Sequence, residues 1–271
     1  MKTSLKPSVA YLLFTVVACG SVNVAKAEHA DLLIAQDTNG KLVTGIADID
    51  NSLWVVGARS FEGELPAVSL ASDPAGIHFE ADPGFNARSQ ADLDADNPPP
   101  GSFLALPGLA DLKFAIVPLS IDGNAANLFY WDGLGAVNFQ PAVGVTLTIS
   151  VGSSSATANG ANSVVPGFNL ETTDSGGVIH RHPDYVLDNG VAGTYAPEGI
   201  YLLPLVAKMD GLTDSLPFGI TFAAGEVDEQ VHGAAVAWVE AHVVPEPSAF
   251  VLAVCALVVV VGIRRLTRSE S

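Results

Sequence analysis

The chain has 271 residues, 49% of them apolar, with 29 Asp plus Glu against 12 Lys plus Arg and a formal net charge of −17 at pH 7. This is enough apolar material to fill a core, which excludes disorder of the whole chain, and the carboxylate excess repels polyphosphates and so excludes nucleic acid as a partner. Both cysteines, Cys19 and Cys255, lie in terminal segments, which excludes thiol catalysis, cysteine-ligated zinc and a disulfide framework from the body between them.

In chain order, the first element is MKTSLKPSVAYLLFTVVACGSVNVAKA. Lys2 and Lys6 form a positive start, Val9 to Cys19 a short apolar stretch, and Ala25-Lys26-Ala27 a small-residue cleavage pattern. Residues 1–27 therefore read as a secretory signal cut after Ala27. Val16-Val17-Ala18-Cys19 also fits, loosely, a lipoprotein signal in which Cys19 would carry lipid. Between residues 28 and 263 only six basic residues face 28 acidic ones, so the exported part is more acidic than the chain as a whole.

Residues 28–244 read as one exported β-rich domain. ADLLIAQ (30–36) and KLVTGIA (41–47) flank Asp37-Thr38-Asn39-Gly40, a hairpin turn signal. SLWVVGAR (52–59), LKFAIVPLSI (112–121), NLFYWDG (127–133) and GVTLTISV (144–151) continue the pattern of β-branched and aromatic runs bounded by turn residues. Pro118 inside its run predicts an edge or a bulge. ADLDADNPPPG (91–101) reads as an acidic surface loop, and GSSSATANGANS (152–163) as a long hairpin loop or a boundary between halves. GIYLLPLVAKM (199–209) and PFGITFA (217–223) are further strands. The apolar period then changes to that of a short helix over 227–241, with Glu226, Asp228 and Glu229 in its first turn. The expected fold is all-β, a single β-sandwich or jelly-roll-like domain with one short C-terminal helix, plus a C-terminal transmembrane helix.

Four constellations carry chemical types. His180 and His182 in HRHPDY share a face of an extended chain and present two imidazoles to one metal, with Asp184, or the distant His232 or His242, completing the set; zinc or copper suits these donors. Asp92, Asp94 and Asp96 have the alternate spacing of half a calcium loop, without its glycine or its closing glutamate. Tyr130 and Trp131, where a strand meets a turn, offer ring faces for stacking on a polysaccharide, or else pack in the core. Asp174-Ser175-Gly176-Gly177 contains the string found around a serine-protease nucleophile. The upstream histidines are His29 and His78, and a plain Gly-Gly turn explains the same residues.

The chain closes on Pro245-Glu246-Pro247, the apolar run Ala249 to Ile263, and Arg264-Arg265 with Arg268. This segment resembles the PEP-CTERM sorting signal of exported bacterial proteins. The resemblance implies an anchor at 249–263 in the cytoplasmic membrane, positive end inside, until an exosortase processes it near the motif and passes the body to the surface or its polysaccharide. A helix of this length spans about 22 Å, short of a hydrocarbon core of about 30 Å, as suits a provisional anchor. The body also resembles PEP-CTERM proteins of unknown function from planctomycete-type bacteria, in GKLVTG (40–45), DPGF (82–85), NLFYWDG, HRHPDY with GIYLLPL after it, and the acidic stretch leading to Trp238. The expected role is that of a non-enzymatic surface or extracellular-matrix protein, handled by the general secretion machinery and an exosortase. The alternatives are a module binding polysaccharide or a divalent metal (zinc, copper or calcium) and, more remotely, a serine hydrolase using Ser175.

Overall fold

The computed structural model describes residues 30–49 and 51–242. Over these residues the protein is mostly β-sheet with two helices, α1 (Gln90–Asp96) and α2 (Glu229–His242). The first hairpin forms as its turn signal predicts: Ala30–Asp37 pairs antiparallel with Leu42–Asp48, and Gly40 takes the positive φ of 76° that the reversal requires. Asp37 Oδ1 accepts from the backbone N–H groups of Asn39 and Lys41 and holds the turn closed.

This hairpin belongs to a six-stranded sheet. Leu53–Val56 extends it on one side, Phe85–Ala87 runs parallel to Ala30–Asp37 on the other, Ile179–Arg181 pairs antiparallel beyond that, and Phe103–Leu104 pairs with the end of Ala30–Asp37. A seven-stranded sheet is built around Gly199–Met209, in which every residue but Lys208 is buried. Its neighbours include Phe218–Ala224, Asp111–Ile116 and Phe129–Trp131, and Ser60–Leu65 adds in parallel to Phe218–Ala224. A four-stranded sheet contains Thr146–Val151 between Ser154–Ala158 and Asp184–Asp188, with His78–Glu80 at its edge.

Alternating residues of these three larger sheets meet in one main core. Leu32, Ile34 and Phe85 come from the first sheet, Tyr201, Leu203 and Phe222 from the second, Leu147, Ile149 and Tyr185 from the third. Burying each such side chain contributes about 1.5–3 kcal/mol. The opposite face of the seven-stranded sheet is covered by α2, where Ala235 and Val239 pack with Phe129, Phe139, Ile200 and Leu202. On the outer face of the first sheet, Leu33, Ala35, Ala47 and Trp54 form a smaller cluster with Leu93 of α1.

Three expectations need correction. The acidic stretch at 91–101 is not a loop throughout, because Gln90–Asp96 is helical. Ser89 caps this helix by accepting from the Asp92 N–H, Leu93 is buried, and Asn97 ends it while donating to the Trp54 carbonyl, so there are two helices rather than one. The small-residue stretch at 152–163 contains the strand Ser154–Ala158, whose Ala156 and Ala158 turn alternately into the core, so it completes a tight hairpin rather than dividing the chain. The C-terminal helix begins at Glu229 rather than 227. Pro118 does interrupt its run, separating Asp111–Ile116 from Leu119–Ile121. The signal-cleavage residue Ala27, the sorting residues Pro245, Glu246, Pro247, Arg264 and Arg265, and the apolar run 249–263 lie outside the described residues. Among the described residues no helix is long and apolar enough to cross a membrane.

Candidate metal centre

Strand alternation builds a polar corner on the outer face of the first sheet. Leu32 and Ile34 turn into the main core, so Asp31 turns outward with Leu33 and Ala35. On the parallel neighbour, Phe85 and Ala87 turn inward and Asn86 outward, level with Leu33. On the third strand His180 pairs with Asn86, and His182 follows two residues later. Three strands distant in sequence thus bring Asp31, Asn86, His180 and His182 together.

Asp31, His180 and His182 each offer one ligand atom, and these atoms all lie within 4.8 Å of one another. The two imidazole Nε2 atoms are 2.7 Å apart, and they lie 3.3 Å (His180) and 3.7 Å (His182) from Asp31 Oδ2. Two donors bound at about 2.0–2.1 Å to a tetrahedral ion stand roughly 3.3 Å apart. The three observed separations straddle that value, so shifts of a few tenths of an ångström would seat an ion among them.

The surroundings fix which atoms face the shared point. His182 Nδ1 lies 2.7 Å from Asp82 Oδ1 and 3.1 Å from the Ala81 carbonyl, both acceptors, so a proton on Nδ1 serves them and Nε2 is the nitrogen that faces the shared point. A carboxylate behind a histidine ligand orients the ring and raises its basicity, the arrangement common around bound zinc. Asp31 is held just as firmly: Oδ1 accepts from the Gly84 N–H at 2.6 Å and Oδ2 from Asn86 Nδ2 at 2.6 Å. Its side chain is 4% exposed, against 45% for His180 and 37% for His182, so a buried carboxylate forms the floor and two imidazoles the accessible rim. Gly84 is required by the tight approach, since a Cβ there would lie 2.9 Å from His182 Cε1 and 3.0 Å from both Asp31 oxygens.

Beneath the corner, the fully buried Tyr185 donates its hydroxyl to the Pro83 carbonyl at 2.9 Å. Burial pushes its pKa well above the usual value, and the negative charges of Asp31 and Asp82 push it further in the same direction.

The site differs from its sequence-level expectation in its third ligand. Asp184 is exposed and belongs to the four-stranded sheet, because one strand ends at Arg181 and, after His182 and Pro183, Asp184 begins another in a different sheet. Alternation does not carry across that break. His232 is buried with Nε2 on the Thr221 carbonyl, and His242 stacks on Trp238, so neither joins the centre. Asp31 was missed, although a carboxylate inside the apolar run ADLLIAQ was its signal. Asp82 had none beyond its place in DPGF.

The other constellations fall elsewhere. Asp92, Asp94 and Asp96 lie on α1, whose helical period spreads alternate residues around the axis, and they are engaged locally: Asp94 accepts from Gln90 and the Gly101 N–H, Asp96 from the Trp54 N–H. They form no calcium loop. Trp131 is 5% exposed and donates Nε1 to the Leu134 carbonyl, and the Tyr130 ring packs against Tyr201 with its hydroxyl on the Glu198 carbonyl. The indole face expected to meet a sugar is inside the protein. Ser175 sits in a turn closed by Asp174 Oδ1, which accepts from the Gly176 and Val178 N–H groups. His78 is buried between the carbonyls of Leu65 and Ala196.

No family model matches the chain, and no curated protein matches it. Among solved structures it is similar to a family 123 glycoside hydrolase from Clostridium perfringens at 11% identity and a TM-score of 0.19, over 63% of this chain and 24% of that one. The chain spans about a quarter of that protein's length. A likeness this slight leaves the chemistry to be read from the side chains.

Proposed function

We propose that this is an exported β-rich protein whose body binds a divalent transition-metal ion through Asp31, His180 and His182. The observation that carries the reading is the convergence of these three donors, with Asp82 behind His182, from strands far apart in the chain. Two imidazole nitrogens and one carboxylate suit zinc, copper or another late first-row ion, whereas calcium prefers a larger set of oxygens. Three protein ligands leave at least one coordination position to solvent or another molecule. The scaffold is a sandwich-like or jelly-roll-like β domain, and its role is binding at the cell surface or in the extracellular matrix rather than catalysis.

Support for export comes from the sequence: the leader at 1–27, the Pro245-Glu246-Pro247 entrance, the apolar run 249–263 and the basic end. The partners of this route are the secretion machinery, the cytoplasmic membrane and an exosortase, with extracellular polysaccharide as the destination. Mass spectrometry of the surface fraction should find chains starting after Ala27 and lacking the C-terminal tail. Intact chains confined to the cytoplasm would refute the route.

The metal reading is tested by titrating the purified, chelator-stripped full chain with zinc and with copper in a calorimeter. One ion per chain is expected, with the affinity lowered by about 100-fold or more in Asp31→Asn and in His180→Ala, and falling with decreasing pH as protons compete for the imidazoles. Wild-type and variant chains that bind equally, or not at all, would remove it.

A further inference from the structure

The seven-stranded sheet carries a second candidate site at its edge, among residues that play no part in the metal centre. Tyr130 stands in register with Tyr201 on one side and with Gln140 on the other, so the three side chains share a face. Their neighbours Phe129, Trp131 and Phe139 join the cluster under α2. Along the row burial falls away: Tyr201 is buried, Tyr130 half-buried and Gln140 exposed. The row therefore runs from the main core out to the rim. At the rim, Tyr130, Asp132, Leu134, Asn138 and Gln140 line a recess of about 320 Å³. That is the small end of the range for ligand sites, about 300–1,000 Å³.

Its walls are held in place by the protein itself. The Tyr130 ring packs against Tyr201 with centroids 4.9 Å apart, and its hydroxyl donates to the Glu198 carbonyl at 2.8 Å. In the loop that follows, Asp132 Oδ1 accepts from the Leu134 N–H at 3.0 Å and the Leu134 carbonyl accepts from Trp131 Nε1 at 3.2 Å. These bonds hold Leu134 at the rim with its side chain exposed. Gln140 Nε2 donates to Asn138 Oδ1 at 2.7 Å, which orients both amides. Three polar atoms are then left without a protein partner among the described residues: the acceptors Asp132 Oδ2 and Gln140 Oε1, and the donor Asn138 Nδ2.

Two acceptors and a donor beside a tyrosine and a leucine match a sugar ring, which presents hydroxyls at its edge and C–H groups on its faces. The carboxylate makes the stronger, charge-assisted bond to a hydroxyl. No lining residue is basic, and Asp132 stands among them in an acidic body, so a charged uronate is repelled and a neutral sugar is not. We propose that this recess binds a neutral sugar unit of a glycan. Asp132 and Gln140 accept from its hydroxyls, Asn138 donates to one, and Tyr130 with Leu134 packs on its C–H groups.

The probes are neutral oligosaccharides of glucose, mannose and galactose, with oligosaccharides of uronic acids beside them, on an array read with the purified full chain in chelator. The wild type binds at least one neutral oligosaccharide and none of the uronates. In calorimetry with that oligosaccharide, Asp132→Asn, which keeps Oδ1 for the Leu134 N–H but turns the free acceptor into a donor, lowers the affinity by about tenfold or more. Gln140→Ala does the same, His180→Ala binds as the wild type does, and circular dichroism confirms that the variants are folded. A wild type that binds no neutral oligosaccharide or only uronates, an affinity unchanged in either recess variant, or an affinity lost in His180→Ala overturns the inference. With chelator present throughout, these outcomes leave the metal reading standing, and a chain that binds no metal leaves this one standing.

Discussion

The two faces of the first sheet are made by the same strands and do opposite work. On the inner face Leu32, Ile34, Phe85 and Ile179 enter the main core beside residues of the seven-stranded and four-stranded sheets. On the outer face the residues next to them in sequence, Asp31, Asn86 and His180, form a polar corner, flanked only by the small cluster under α1. Period-two alternation separates the two within a single residue step, so a substitution at one position tests stability and at its neighbour tests binding. The proposed centre lies at the edge of the apolar core, on strands whose pairing is already fixed.

The largest effect that could break this contrast comes from the inner face. Phe85 is 1% exposed, and Phe85→Ala should cost about 3–5 kcal/mol in denaturant unfolding, through lost transfer energy and the cavity left behind. A loss similar to that of an exposed residue would mean that the two faces are not distinct in kind. Next comes the group behind the ligand: Asp82→Ala should lower zinc affinity by about ten- to hundredfold in calorimetry while leaving unfolding in chelator nearly unchanged, since its side chain is 45% exposed. An equal loss of stability and affinity would make Asp82 structural.

The smallest effect lies at the far end of the strand that carries Asp31. The backbone N–H of Lys41 holds the Asp37 carboxyl below its ordinary pKa, with partial burial opposing and the Asn39 contacts assisting. A carboxyl whose pKa is lower in the folded than in the unfolded state stabilises the fold above its unfolded value. That contribution is lost as pH falls through the folded value. Asp37→Ala should therefore flatten the acid limb of the stability curve slightly and leave metal affinity untouched. A change in zinc binding would show that the turn and the corner are coupled.

Local patterns carried much of the fold. The Asn-Gly hairpin, the long buried strand at Gly199–Met209 and the amphipathic helix near the end of the described residues were legible because each is specified by neighbours a few positions away. The reading failed where a short-range signal was overruled or overlooked. The prolines after Asp96 masked a helix whose cap, Ser89, was visible, and the small residues at 154–158 resembled a loop because alanine fills a strand's inner face without a hydrophobic run to announce it.

The candidate site divides in the same way. Spacing alone paired His180 with His182, since two residues apart on an extended chain share a face whatever the fold. Composition likewise established an acidic, cysteine-free body that must be held together by its core. Choosing Asp31 over Asp184 and placing Asp82 behind His182 were decisions of the tertiary structure. Each depends on strand order and register between segments about 50 to 150 residues apart, and those are settled by the collective burial of the inner face. No pattern within one segment carries that information.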